Sequence, residues 1–471
     1  MKLSSHQKYS IRKYSIRKYS IRMMYRFMVV PLLLALGHLC SPFSAKLREG
    51  LRMRRKQNGR WPWLLPPPGL HPIWIHCASG EFEYAKPVLR QIKEQWPDLP
   101  VLVTYFTPSY RQAIERHPLV DYATPLPYDV ASVWHQFLRH HQPRMLLIAR
   151  TDLWPEMLWQ TQQHNIPIML FASSLGQANR RMSRWARPFV RTLLEPIDLI
   201  SCPSPADRQQ FAKLGLADKT YEDGDTRYDE VIFRQQQRLP LPRAITQAQT
   251  ETVWIGASTW SEDETILLSM VQRARENTLP VRFIFCPHEP TVQHLRTLCQ
   301  RLERSGMGHQ LLSETTDQWA RDRVLIIDRT GVLLDLYRHA DIAFVGGSFH
   351  RRVHSVMEPL AAGCWTWFGP RHLTNREAGE FKEQNYQGIP LALTIASADQ
   401  AYSSLETWLK FTDKRAFRSE LQSRVAARAG ATSRLLRRLA PYLPPRPTAG
   451  HADSQQVSEN LASRCSFSER K

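Results

Sequence analysis

Short apolar runs, each closed by a glycine, serine or proline turn, punctuate the chain from residue 71 to residue 370. In the first half they read PIWIHCA from Pro72, VLVTYF from Val101, MLLIAR from Met145, IPIMLFAS from Ile166 and LISCPS from Leu199. Helix-period stretches lie between them, among them FEYAKPVLRQIKEQW from Phe82 and RWARPFVRTLLEPI from Arg184. The runs are apolar throughout rather than alternating. That is the pattern of strands buried on both faces of a parallel sheet covered by helices. A polar, proline-marked stretch, Gln235 to Glu251, reads as a linker. A second series then follows: TVWIGAST from Thr252, VRFIFCPHEP from Val281, RVLIID from Arg323, IAFVGGS from Ile342 and WTWFGP from Trp365, with SEDETILLSMVQRAREN and TVQHLRTLCQRLERSG between.

The class is α/β, and 471 residues suffice for two cores. The pattern predicts two Rossmann-like domains with parallel sheets, 61–236 and 237–430, preceded by an arm and anchor over 1–60. A helix end and a polar, disordered tail follow over 431–471. A helical run from Lys414 to Tyr442 is expected to cross back toward the first domain.

The first 60 residues differ in kind. KYSIR occurs three times in tandem from Lys8 to Arg22, which reads as a recent duplication, as sequence upstream of a start at Met23 or Met24, or as a basic strip against anionic lipid. Phe27 to Ala45 carries no charge, but its strongly apolar part is about 14 residues, short of the roughly 20 that a span needs, and Pro31 and Pro42 interrupt it. With Arg and Lys on both flanks it reads as a monotopic or single-pass membrane anchor, with a buried core helix as the alternative. WPWLLPPP, from Trp61, excludes a helix and reads as the way out of the anchor.

Charge and cysteines refine the picture. The arm holds fifteen Lys or Arg against one acid, Glu49, and so supplies +14 of the net +20. Nucleic acid is therefore not an expected partner; the basic segment belongs to a membrane surface. The seven cysteines show no CxxC or Cys/His metal spacing, so neither zinc nor disulfides are expected.

The candidate chemistry follows the strands, since ligands of open parallel sheets sit off the carboxyl ends. In the first domain the relevant residues are Gly80 and Glu81 after the first strand, Thr107 after the second, and Arg150 and Asp152 after a later one. A Glu at such a mouth either accepts a proton from a substrate hydroxyl or complements a helix dipole. In the second domain Gly346 and Gly347 follow a strand and precede a helix, an arrangement that holds a phosphate in some proteins and makes only a tight turn in others. Ser348, His354, Glu358 and Asn375 beyond them favour a nucleotide, whose ribose hydroxyls would take a carboxylate.

Together these stretches resemble the Kdo transferase family, membrane-associated inverting glycosyltransferases of the GT-B fold, in which two Rossmann-like domains face each other across a cleft. WIHCASGEFEYAKP resembles the family's strand, turn and catalytic Glu; TPSY its TPTG-type loop; RTDLWP its E-x-E-LWP; DGDTRYD its GN-x-KFD. GASTWSEDE resembles its STH-type motif, CPHEP its PRHPER, GGSF with His354 and Glu358 its GGS loop, and GPRHLTN its GP-x-NF. The matches keep their order from about residue 24 to 430.

The resemblance implies transfer of 3-deoxy-manno-octulosonic acid (Kdo) from CMP-Kdo to a lipid A precursor at the cytoplasmic face of a bacterial inner membrane, in lipopolysaccharide biosynthesis. Glu81 would be the general base. Ser258, Thr259, Gly346, Gly347 and Ser348 would present donors to the phosphate with His354 beside them, and Pro287 and His288 would also line the donor site. Arg227 would oppose the phosphate or the sugar carboxylate, Glu358 would take the ribose, and Asn375 would sit near the donor. Gly80, Thr107, Arg150 and Asp152 would form the acceptor side. No metal and no cofactor are implied.

This chain also departs from the pattern. Arg150 stands where the family has Glu and Asp152 where it has a second Glu, and Arg227 replaces Lys. The Arg of PRHPER is absent, leaving His288. The turn before Glu81 and the loop between Ser348 and His354 are each one residue shorter, and Arg351, Arg352 and Val353 replace glycines. These changes bear on the acceptor side and the sugar transferred. They leave open a GT-B enzyme for another nucleotide sugar, an epimerase, or a degenerate membrane-bound scaffold.

Overall fold

The structure, a computed structural model, describes residues 19–55, 61, 68–175, 186–237, 241–242, 245, 251–315 and 318–446. The first two copies of the tandem repeat, most of WPWLLPPP, most of the expected linker and the expected tail beyond residue 446 lie outside these. The chain forms two compact units, Met1–Glu230 with Gly430–Lys471, and Val231–Ala429. The boundary falls within one helix, Thr226–Gln236.

In the amino-terminal unit seven strands, β1 (Ile73–Cys77), β2 (Val101–Tyr105), β3 (Tyr122–Pro125), β4 (Met145–Ala149), β5 (Ile168–Phe171), β6 (Leu199–Cys202) and β7 (Thr220–Glu222), form one sheet in the order β3-β2-β1-β4-β5-β6-β7. Each recorded pairing is parallel. Successive residues of β1 serve opposite faces: Ile73, Ile75 and Cys77 pack with the helix Phe82–Gln95, while Trp74 joins Trp134 and Phe137 on the other side. Burial on both faces accounts for the unbroken apolar reading of the strand.

The carboxy-terminal unit repeats the plan. β8 (Thr252–Thr259), β9 (Val281–Pro287), β10 (Gly308–Leu311), β11 (Arg323–Ile326), β12 (Ile342–Val345) and β13 (Trp365–Phe368) are followed by a small antiparallel hairpin, β14 (Asn385–Tyr386) and β15 (Ile389–Pro390), and by β16 (Ala392–Thr394). The seven-stranded sheet is ordered β10-β11-β9-β8-β12-β13-β16.

Both sheets turn round at their first strand. The chain builds outward from β1 through β2 to β3, then restarts at β4 on the other flank of β1; it builds outward from β8, then restarts at β12 beside β8. At such a switch the loops leaving the two neighbouring strands diverge and open a crevice at their carboxyl ends. In register, Cys77 lies opposite Tyr105 and His76 opposite Ile148, so the segments carrying Glu81, Thr107 and Arg150 leave one edge together.

Residues Tyr19–Phe43 form a 25-residue helical run that is long and apolar enough to cross a membrane by length and composition. This corrects the expectation of an interrupted apolar segment. The backbone widens to a π-turn over Tyr25–Val29 just before Pro31, with the Val30 amide donating to the Tyr25 carbonyl, so that Pro31 enters in a first turn. Pro42 falls in a closing 3₁₀ turn. A proline at a helix start removes no bond that the helix would otherwise make. Phe27, Met28, Leu32, Leu33, Leu36, Leu39 and Phe43 are exposed along the run.

Its other side is fastened to the unit. The Tyr25 hydroxyl donates to Asp129 (2.7 Å), Arg26 pairs with the buried Glu156, and Tyr25 meets Trp159 edge-on at 5.7 Å. Burial pushes the Asp129 carboxyl up to about 6, and the Trp134 indole and the Glu156 and Met157 amides also donate to it.

Candidate active site

The amino-terminal crevice lies between β1 and β4. Glu81 stands at the N-cap position of the helix Phe82–Gln95 without bonding to its amides, and its Oε2 accepts from the Ser79 amide (2.9 Å) and hydroxyl (3.1 Å); among the described residues Oε1 has no partner. The carboxylate is thereby oriented while one oxygen stays available. Gly80 packs beside Tyr110, where an added Cβ would lie 3.4 Å from the phenol oxygen. Thr107 opens a 3₁₀ turn after β2. Asp152 accepts from Trp154 Nε1 at 3.0 Å and meets His76 Nε2 at 2.9 Å; His76 is fully buried, with its Nδ1 on Thr104. Burial pushes the Cys77 thiol well up, and Glu81 and Asp152 both raise it further. The two carboxylates therefore act on one strand end.

Arg150 has left-handed backbone, φ 63°. Its guanidinium donates to the Tyr84 hydroxyl and lies over the Tyr84 ring. Arg227, expected on the donor side, belongs to this unit, where it stacks on the same ring and pairs with Asp225.

The carboxy-terminal crevice lies between β8 and β12. Ser258 has φ 52° and an unpartnered hydroxyl among the described residues. A Cβ on Gly346 would come 2.3 Å from the Ser258 carbonyl oxygen, so only glycine lets the two strand ends approach. Gly347 has φ 91°.

The hydrogen bonds of this loop differ from those expected. The amide of Gly347 (2.8 Å) and those of Phe349 and Trp260 all donate to Asp263, and Gly346 donates to the Ala257 carbonyl. The Thr259 hydroxyl serves the buried Glu264, and the Ser348 hydroxyl accepts from Gly369. Buried carboxylates demand donors, and these were the nearest. The glycines and Thr259 therefore shape the crevice, and of this set the hydroxyls of Ser258 and of Ser348, which accepts from Gly369, each keep a proton to give.

An aromatic wall stands beside the loop. His354 stacks on His288 at 4.1 Å, and Trp260 lies 5.0 Å from His288 and 5.5 Å from His350. Trp260 Nε1 donates to His354 Nε2 at 3.0 Å. An indole can only donate, so His354 carries its proton on Nδ1. Burial, reinforced by His288 and Arg352, lowers its pKa to about 4. Pro287 ends β9, and the His288 amide donates to the Thr259 carbonyl. Asn375 caps the helix Arg376–Lys382 and donates to the His354 carbonyl, holding the wall in place. Glu358 pairs with Arg234 at 3.0 Å.

The sequence reading passed over His76, Tyr84, Trp260 and Asp263. Each sits inside an apolar or helix-capping pattern, and only its neighbours in space set it apart. The one signal available was position, immediately before or after a strand's carboxyl end.

Residues 46–230 match the family described as 3-deoxy-D-manno-octulosonic-acid transferase (kdotransferase). A protein of Haemophilus influenzae named 3-deoxy-D-manno-octulosonic acid transferase is 27% identical over 432 residues, covering 88% of this chain and 96% of the relative. The chain is similar to this transferase family. A Bordetella pertussis protein of the same name is 26% identical over 421 residues, covering 83% and 95%. The fold has a wider kinship: the UDP-GlcNAc 2-epimerase of Neisseria meningitidis, solved with UDP-GlcNAc bound, superposes with a TM-score of 0.55 at 14% identity, covering 78% of this chain and 99% of that one.

Proposed function

We propose that the protein is a glycosyltransferase that moves Kdo, or a closely similar sugar acid, from its CMP-activated form to a lipid A precursor. The observation that carries this is the placement of the family's motif residues at the switch crevices of both sheets, with Glu81 in one and Ser258, Gly346 and His354 in the other.

In this reading Glu81 Oε1 takes the proton of the acceptor hydroxyl, and the oxygen attacks the anomeric carbon from the side opposite the departing CMP. The configuration inverts. The carboxy-terminal unit holds the donor: Ser258 and the Nδ1–H of His354 are set to contact the phosphate, and the aromatic wall flanks it. CMP leaves with one phosphate, which fixed donors and cations can stabilise without a resident metal. Glu358 takes the ribose hydroxyls only if it exchanges its partner Arg234, so its role is shared between the ion pair and the ligand. The apolar amino-terminal helix keeps the enzyme on the membrane that carries its acceptor, at the cytoplasmic face.

The test is incubation of the full chain with CMP-Kdo and a tetraacylated lipid A precursor, followed by the mass of the lipid product. A gain of one or more Kdo units is expected. Turnover of a UDP or GDP sugar with CMP-Kdo ignored would overturn the reading in favour of another nucleotide-sugar enzyme, and absence of CMP release would favour a scaffold. Glu81→Gln should cut turnover by about 10² or more while leaving CMP affinity intact. Equal loss of both would make the residue structural.

A further inference from the structure

The loop that leaves β2 brings a second group to the Glu81 turn. The amides of Phe106 and Thr107 both donate to the Ala78 carbonyl at 3.0 Å, three residues before Glu81. Further along the loop, Tyr110 ends the 3₁₀ turn Pro108–Tyr110 and lies over Gly80. An added Cβ on Gly80 would stand 3.4 Å from the phenol oxygen and 3.6 Å and 3.7 Å from two ring carbons, so the ring sits one carbon's width above the turn. The family's TPTG-type loop ends in Gly where TPSY ends in Tyr110, and the turn before Glu81 is one residue shorter here. The phenol therefore occupies space that the shorter turn leaves.

The ring is partly buried, yet among the described residues its hydroxyl has no hydrogen-bond partner. The carboxylates that act on it are Glu83, which is paired with Lys86 at 2.7 Å, and Glu81, which holds Ser79 through Oε2. Burial raises the Tyr110 phenol, and both glutamates raise it further, so it keeps its proton and can donate. An open donor, Tyr110, and an open acceptor, Glu81 Oε1, thus stand at one turn.

An apolar wall rises beside them. Phe106 is 36% exposed but firmly held: the Arg54 guanidinium lies 4.4 Å from its ring centroid and donates to its carbonyl at 2.7 Å. Trp154, from the loop after β4, meets Phe106 at 4.8 Å and is itself held by Asp152. Because β2 and β4 flank β1, the two rings meet across the end of the strand that leads to Glu81. A few fixed polar groups against aromatic surface make a site for a ring that has both hydroxyls and C–H faces.

We infer that Tyr110 is an acceptor-binding residue: its hydroxyl donates to an oxygen of the acceptor sugar beside the hydroxyl that Glu81 deprotonates, with Phe106 and Trp154 as the apolar wall of that subsite. Identifying the ligand as the acceptor sugar rests on the transferase reading. The contact sorts acceptors by the oxygen next to the reacting one, a selection that Gly at this position cannot make.

The test is equilibrium binding of a tetraacylated lipid A precursor to the full chain, without CMP-Kdo, for wild type, Tyr110→Phe and Tyr110→Gly, followed by steady-state kinetics. Tyr110→Phe keeps the ring and removes the donor. It should weaken acceptor binding and raise the acceptor KM about tenfold, with the KM for CMP-Kdo and the thermal midpoint unchanged. Tyr110→Gly should weaken acceptor binding at least as much. Unchanged acceptor binding in Tyr110→Phe overturns the assignment, and if Tyr110→Gly alone loses affinity the ring only fills space. Failure of the wild type to bind the precursor also overturns it. Precursor binding that depends on the hydroxyl, without CMP release from CMP-Kdo, would sink the transferase reading and leave the Tyr110 contact standing.

Discussion

Gly346 and Gly347 carry the geometry of the carboxy-terminal crevice, and their substitution gives a direct test. Alanine at 346 would bring its Cβ to 2.3 Å from the Ser258 carbonyl oxygen, where backbone rather than a mobile side chain must yield. Gly346→Ala should therefore lower stability by on the order of 2–4 kcal/mol and weaken CMP binding, measured by denaturant unfolding and calorimetry. Retained stability with retained binding would mean the strand ends tolerate separation.

His354 supplies a pH signature at the same scale. Its folded pKa of about 4 lies below its usual value of 6.5, so the unfolded chain binds the extra proton first. The stability linked to its neutral form is complete above pH 6.5 and is lost as pH falls toward 4. His117, lowered to about 3 by burial, adds a similar term in the other unit. The thermal midpoint should drop across that window, and His354→Gln should flatten only part of the drop. An identical profile in the variant would show that His354 is not held neutral by its surroundings.

At the scale of elements, the long apolar strands were legible and the short edge strands were not. β1, β2, β4, β5 and β6, and β8, β9, β11, β12 and β13, each match an apolar run read from the sequence. β3, β7, β10 and β16 do not. These lie at or near the sheet edges and are half exposed, so they carry few apolar side chains and little periodic signal. The helical run expected from Lys414 to Tyr442 breaks at Gly430, φ 87°, for a reason outside its own sequence: Asp229 accepts from the amides of Gly430 (2.5 Å) and Thr432 (2.7 Å) and from the Thr432 hydroxyl (2.6 Å). The Asp of the RYD motif thus caps a helix about two hundred residues away in the chain. Asp229→Ala should cost roughly 1–2 kcal/mol and expose Ala431–Leu439 to proteolysis, with Glu81 chemistry unaffected. Loss of turnover without loss of protection would assign Asp229 to the reaction instead.

For the whole molecule, charge and apolar surface are concentrated at the amino terminus, where a membrane can use both. Because Leu32, Leu36 and Leu39 are 59%, 46% and 70% exposed, their replacement by Asp should abolish flotation with anionic vesicles and leave the thermal midpoint unchanged. Vesicle binding that survives would place the contact elsewhere.

Composition and spacing sufficed for the class, the two parallel sheets and the strand ends where Glu81, Arg150, Ser258 and Gly346 would stand, because burial on both faces writes itself into consecutive apolar residues. Hydrogen-bond ownership needed the tertiary structure. Whether an amide faces a ligand or Asp263, whether His354 keeps its proton on Nδ1, and whether Arg150 and Arg227 share one aromatic ring depend on groups distant in the chain, and no local pattern encodes which of them arrives first.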